Sequence, residues 1–128
     1  MVEILQGVHQ IDGVNANSYL VLEDDGSLTL IDTGMSLGGK KILDYIKTDL
    51  SKQPSDVKTI VLTHSHIDHI RGALAIKKAS GAKVLIHEED ADAIRTIEYK
   101  LFELYRACFK LRREKYHAVA EKVPFFSL

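Results

Sequence analysis

A single cysteine, Cys108, occurs in this sequence. No disulfide can therefore close within the chain, and a reducing compartment is expected, read here as the cytoplasm. Cys108 lies in an apolar helical pattern, where a free thiol packs as a small hydrophobe. No apolar run is long enough to cross a bilayer, and Met1-Val2-Glu3-Ile4 lacks the basic start and long apolar stretch of a secretory leader. No membrane span is expected. An excess of charge of one sign is also missing: 17 Lys and Arg against 18 Asp and Glu give a formal net charge of -1. That balance argues against nucleic acid as the default partner. Internal repeats and low-complexity runs are absent. Between Glu89 and Lys122 there is neither glycine nor proline, which removes the usual helix breakers from about a quarter of the chain.

What is present is ordinary for a globular domain, with 45% hydrophobic and 27% charged residues over 128 positions. One domain is expected at this length. Val2 to His9 reads as a first strand, turning at Asp12-Gly13; Ser18 to Glu23 and Ser27 to Asp32 read as the next two, joined by Asp24-Asp25-Gly26 as an antiparallel meander. Tyr19-Leu20-Val21-Leu22 is apolar on both alternating faces, the pattern of a strand covered on both sides. A loop from Gly34 to Gly39 leads to a helix over Lys40 to Leu50, with an apolar stripe of Ile42, Leu43, Tyr45, Ile46 and Leu50. Thr59-Ile60-Val61-Leu62 reads as a buried strand, Ile70 to Lys78 as a helix stopped at Ser80-Gly81, and Lys83 to His87 as a further strand. From Glu89 onward, Ile94, Ile97, Leu101, Leu104, Cys108 and Leu111 recur at steps of three and four, broadened by Phe102, Tyr105 and Phe109, and predict a long or broken helix. The tail Val123-Pro124-Phe125-Phe126-Ser127-Leu128 is apolar, a pattern suited to plugging the core, to docking on a partner, or to the cut end of a longer ancestor.

Gly34-Met35-Ser36-Leu37-Gly38-Gly39-Lys40 has the outline of a phosphate-binding loop. Lys41 stands where Ser or Thr would hold magnesium, so a tight turn after Asp32 is the better reading of these glycines.

The chemistry concentrates in Thr63-His64-Ser65-His66-Ile67-Asp68-His69, between the buried strand and the helix that follows. In an extended segment alternate side chains point the same way, so His64, His66 and Asp68 can converge beyond the strand end while His69 faces a neighbouring point. Imidazole and carboxylate suit zinc, and also iron or manganese, and adjacent points suit a two-metal centre. The plain alternative is a set of solvated loop histidines with Asp68 capping the helix.

His64, His66, Asp68 and His69 match position for position the H-x-H-x-D-H motif of the metallo-β-lactamase superfamily, which the sequence resembles. The resemblance extends to Asn17-Ser18-Tyr19-Leu20-Val21-Leu22, Leu30-Ile31-Asp32-Thr33-Gly34 and Ala82-Lys83-Val84-Leu85-Ile86-His87-Glu88-Glu89-Asp90. It implies an α/β (α+β) fold, half of an αβ/βα sandwich: a mixed sheet with helices on one face, plus a long C-terminal helical segment. Residues 1–128 would form a single half-domain, with the motif-bearing core in 1–88 and the helical segment in 89–128. The resemblance further implies that His64 and His66 hold one metal and Asp68 and His69 another, up to two ions of zinc, iron or manganese. Asp32 would steady these ligands from behind. Arg71 departs from the small residue common in the family and would place a positive charge near the site entrance.

The implied chemistry is metal-dependent hydrolysis of an ester, thioester, amide, lactone or phosphodiester in a small-molecule substrate. A metal-bound hydroxide would attack, with Asp68 as the catalytic carboxylate that orients water or shuttles a proton. The family's second half supplies further ligands, which are not found in this sequence; His9, His87 and His117 are the remaining histidines. A two-fold homodimer is expected to cover the open sheet face and to lend a ligand across the interface. The rival expectation is a truncated, non-catalytic metal-binding half-domain that self-associates.

Overall fold

A computed structural model describes residues 2–12, 16–94, 104, 106 and 108–111, with the side chains of Ser36, Phe109 and Leu111 left aside. Seven strands form one mixed sheet in sequence order: β1 (Val2–Leu5), β2 (Val8–Ile11), β3 (Ser18–Leu22), β4 (Leu28–Ile31), β5 (Val57–Leu62), β6 (Lys83–His87) and β7 (Cys108–Leu111). The first four pair antiparallel and the last three join in parallel. Among the described residues the continuous α-helices are α1 (Ser36–Thr48), α2 (Ile67–Ile70), α3 (Ala73–Ser80) and α4 (Glu88–Ile94). Parallel neighbours cannot be joined by a tight turn. Accordingly α1 connects β4 to β5, and α2 and α3 connect β5 to β6.

Alternation along the central strands divides the core between the two faces. Leu20, Leu28, Leu30, Ile60, Leu62, Val84 and Ile86 face the helices, where Ile42, Tyr45 and Ile46 of α1 and Ala73 and Ile76 of α3 complete the larger cluster. Each of the fully buried Leu and Ile side chains there is worth about 1.5–3 kcal/mol relative to exposure. Val8, Tyr19, Val21, Ile31 and Val61 form a second cluster on the opposite face, with Ile4 and Leu85 against it. The double apolar alternation of Tyr19-Leu20-Val21 thus corresponds to a strand buried on both sides. On that second face Val21, Ile31, Thr59 and Leu85 line a cavity of about 510 Å³.

Several boundaries differ from the sequence expectations. Val2 to His9 is a hairpin rather than one strand, because Gly7 takes a positive φ of 75° and turns the chain into β2. The helix expected from Lys40 begins at Ser36, absorbing Gly38 and Gly39. Close packing explains Gly39: a Cβ there would lie 3.1 Å from the Gly72 carbonyl oxygen. The single helix expected over Ile70 to Lys78 is two, α2 and α3, separated at Arg71-Gly72.

The larger correction concerns the long helix expected from Glu89. Helix holds at Glu88–Ile94 and at Leu104 and Arg106, but Cys108–Leu111 is strand β7, paired in parallel with β6. An unpaired β6 edge offers a row of backbone donors and acceptors, which outweighs the weak helical preference of four residues. The Lys110 ammonium, 2.8 Å from an Asp92 carboxylate oxygen, ties this strand to α4. Leu104 is fully buried in the helix-side core and Cys108 packs against it. Ile97, Leu101, Phe102, Tyr105, His117 and the Phe125-Phe126 tail lie outside the described residues. Among the described residues no helix is long and apolar enough to cross a membrane.

Candidate metal centre

The parallel pairing of β4 with β5 sets Ile31 beside Val61, so the loops leaving their carboxyl ends emerge side by side. This edge is where α/β sheets place ligands. Asp32 follows β4 directly and is almost wholly buried, with a left-handed φ of 55° that aspartate tolerates better than most residues. Its backbone N–H continues the ladder to the Val61 carbonyl at 2.8 Å.

The Asp32 carboxylate organises the site. Oδ1 accepts the Thr63 backbone N–H at 2.8 Å. Oδ2 accepts the Thr63 hydroxyl at 2.6 Å and the His69 Nδ1–H at 2.7 Å. Because the Thr63 hydroxyl proton is directed to Asp32, its oxygen is left to accept from His64 Nδ1, 2.7 Å away. A carboxylate can only accept, so in their neutral form both imidazoles carry their proton on Nδ1 and present a bare Nε2. One buried acid thus sets two tautomers, directly for His69 and through Thr63 for His64. Hydrogen bonding of this kind orients metal-binding histidines and raises their basicity.

Backbone contacts fix the histidine loop onto the preceding turn. Thr33 donates both its N–H and its hydroxyl to the His69 carbonyl, at 2.8 and 3.0 Å, and Gly72 N–H reaches the Gly34 carbonyl at 3.1 Å. The approach is so close that a Cβ on Gly72 would sit 2.4 Å from the Thr33 carbonyl oxygen. Glycine is required there by packing, since its φ of -76° suits any residue.

Asp32, His64 and His69 each offer a ligand atom, all within 4.8 Å of one another. The His64 and His69 ring centroids are 4.1 Å apart, and His66 stands edge-on to His64 at 4.6 Å. His66 is exposed. Asp68, with a side chain 47% exposed, places Oδ2 3.7 Å from His69 Nε2. Two ligands on one tetrahedral zinc ion stand about 3.4 Å apart, given bonds of about 2.1 Å. The hydrogen bond that His69 donates to Asp32 holds the His69 pKa above the ordinary histidine value, while burial pushes that of His64 below it. Arg71 closes α2 and is partly buried.

Of the residues singled out from sequence, His64, His69 and Asp32 gather into one cluster, with Asp68 and His66 at its rim. His87 is not among them: its Nδ1 accepts the Glu89 N–H at 3.3 Å. His9 contacts the Tyr45 hydroxyl at 2.9 Å on the helix side. Thr63 gave no sequence signal for its part, because that part depends on the register of two strands whose ends meet only in the fold.

Comparison with known proteins places these features in context. The profile of the metallo-beta-lactamase superfamily matches residues 11–121. The exodeoxyribonuclease WalJ of Streptococcus pneumoniae is 31% identical over 87 residues, covering 68% of this chain and 31% of that protein. The (R)-specific secondary-alkylsulfatase of a Pseudomonas species is 32% identical over 75 residues, covering 58% of this chain and 11% of the sulfatase. A solved metallo-beta-lactamase of Cronobacter sakazakii bearing a HARLDQ motif superposes with a TM-score of 0.66 at 27% identity, covering 73% of this chain and 35% of that one. The chain therefore spans about a third or less of the length of these relatives.

Proposed function

The chain belongs to the metallo-beta-lactamase superfamily, and from that premise we propose that it forms the metal-binding part of a hydrolase, with His64, His66, Asp68 and His69 as ligands and Asp32 holding the histidines from behind. The observation that carries this reading is the tautomer pattern: a single buried carboxylate leaves Nε2 of both His64 and His69 free. Three donors already engage Asp32, two of them on Oδ2, so it acts better as an orienting group than as a ligand. The donor set, imidazole with carboxylate, fits zinc first and iron or manganese next. The 3.7 Å between Asp68 Oδ2 and His69 Nε2 supports their sharing one ion, with His64 and His66 serving a second.

A divalent ion bound there supplies Lewis acidity and a water made acidic enough to lose its proton near neutral pH. The protein's own part is orientation and proton handling. Asp32 and Thr63 keep the ring protons on Nδ1, and Asp68, whose side chain is 47% exposed against 19% for His69, accepts a proton from water and returns it to the leaving group. The relatives' names carry two kinds of oxyacid ester, a DNA phosphodiester and an alkyl sulfate. An ester-type bond is accordingly the proposed target. Hydrolysis of bis(p-nitrophenyl) phosphate, p-nitrophenyl sulfate and a p-nitrophenyl carboxylic ester, each with zinc, manganese or iron, tests the reading. Activity abolished by chelation and by Asp68→Asn is expected. Zinc-loaded protein with no turnover on any of these, or on single-stranded DNA, would favour the metal-binding half-domain without catalysis.

We further propose a two-fold homodimer in a cytoplasmic setting. The open cavity on the second sheet face, lined by Val21, Ile31, Thr59 and Leu85, supports a self-complementary contact there. Light scattering across a dilution series checks it, and a compact monomer at micromolar concentration would refute it.

A further inference from the structure

The histidine loop is anchored at a second point that lies outside the H-x-H-x-D-H motif. β6 runs parallel to β5 with Leu62 beside Ile86, so the segment leaving β6 passes alongside the loop leaving β5. That segment becomes α4, held in place by Ala91 and Ile94, both fully buried. Asp90, in the first turn of α4, directs one carboxylate oxygen, Oδ1, at Ser65: it accepts the backbone N–H at 3.2 Å and the hydroxyl at 3.1 Å. Ser65 is the residue between His64 and His66. Its backbone angles set the direction of one imidazole relative to the other.

Building on the proposed metal centre, we infer that Asp90 is a positioning residue, which fixes the loop at Ser65 so that His64 and His66 converge on a common ion. The loop is then clamped on both sides of His64, by Asp32 at Thr63 and by Asp90 at Ser65. His66 is exposed and has no deep packing of its own. Its aim depends on the backbone before it.

Separating the hydrogen bonds from the charge tests this. Asp90→Asn keeps an oxygen able to accept both bonds, Asp90→Ala removes it, and Ser65→Ala deletes only the hydroxyl. The readouts are zinc affinity by competition with a chromophoric chelator, the visible absorption of the cobalt(II)-loaded protein, and thermal unfolding without metal. Asp90→Ala is expected to weaken zinc binding about 10-fold to 100-fold and to alter the cobalt bands, and Asp90→Asn to restore the bands and most of the affinity. Ser65→Ala takes a smaller step in the same direction, and decides the matter should Asp90→Ala fail to fold. Wild-type affinity and cobalt bands in Asp90→Ala, or in Ser65→Ala should Asp90→Ala not fold, overturn the inference. So does a loss that Asp90→Asn shares in full, which would assign the effect to charge alone. Wild-type protein that binds no zinc would instead remove the proposed centre itself, and this inference with it.

Discussion

Replacing Asp32 should cost the protein both stability and metal. Its carboxylate is almost wholly buried and serves three donors, the Thr63 N–H, the Thr63 hydroxyl and His69 Nδ1–H, at 2.6–2.8 Å. A hydrogen bond to a charged group contributes about 1.5–3 kcal/mol, but three bonds sharing one acceptor do not add. Breaking a buried charged network costs about 3–5 kcal/mol. Alanine in the left-handed backbone at Asp32 adds about 1 kcal/mol. Asp32→Ala should therefore lose about 4–6 kcal/mol, against a total of about 6–19 kcal/mol for a domain of this length. Asp32→Asn tolerates the same backbone and keeps one acceptor for the Thr63 N–H, so it should lose about half as much. Urea unfolding in the presence of chelator gives both values. In folded Asp32→Asn, zinc affinity should fall about 10-fold to 100-fold, the range for groups that orient a ligand without touching the ion. An Asp32→Ala protein within about 1 kcal/mol of wild type, binding zinc as tightly, would refute the relay through Thr63.

Three further outcomes follow from other contacts. Gly72→Ala puts a Cβ 2.4 Å from the Thr33 carbonyl oxygen, so the turn must part, at a cost of about 1–3 kcal/mol seen as a lowered Tm; unchanged stability would contradict the close approach. In metal-free protein His69 should titrate by NMR above the ordinary histidine value, and Asp32→Asn should abolish the rise. A raised folded-state pKa means that the pair's stabilisation is complete below the ordinary value and is lost as pH rises through the raised one, while zinc affinity grows over the same interval as the proton leaves. Cys108, whose thiol burial pushes up to about 12, should resist a thiol reagent at neutral pH until the protein is unfolded; rapid reaction of the native form would mean that the β7 edge opens.

Much of the fold was legible because burial leaves periodic marks. The run at Thr59 to Leu62 and the stripe of Ile42, Tyr45 and Ile46 report directly on a covered strand and a half-covered helix. Strand β7 left no such mark. Cys108–Leu111 pairs because β6 presents an open edge, a fact of tertiary structure that local propensity does not carry. The break between α2 and α3 was hidden for the same reason: Gly72 is needed for contact with Thr33, a residue 39 positions earlier. At the site, the histidines and Asp32 were visible as residue types with recognised spacing. Their coupling through Thr63 and the anchor at Asp90 arise from strand register and have no sequence period.

The most direct measurement is the metal content and zinc affinity of the purified protein beside a His64→Ala/His69→Ala variant. Both Nε2 atoms freed by Asp32 are lost in that variant, while the core strands around Ile60 and Leu62 are left intact. Bound zinc in the wild type and its near-complete loss in the variant, with far-ultraviolet circular dichroism unchanged, is the predicted result. Equal metal in the two proteins would contradict a centre built on these histidines.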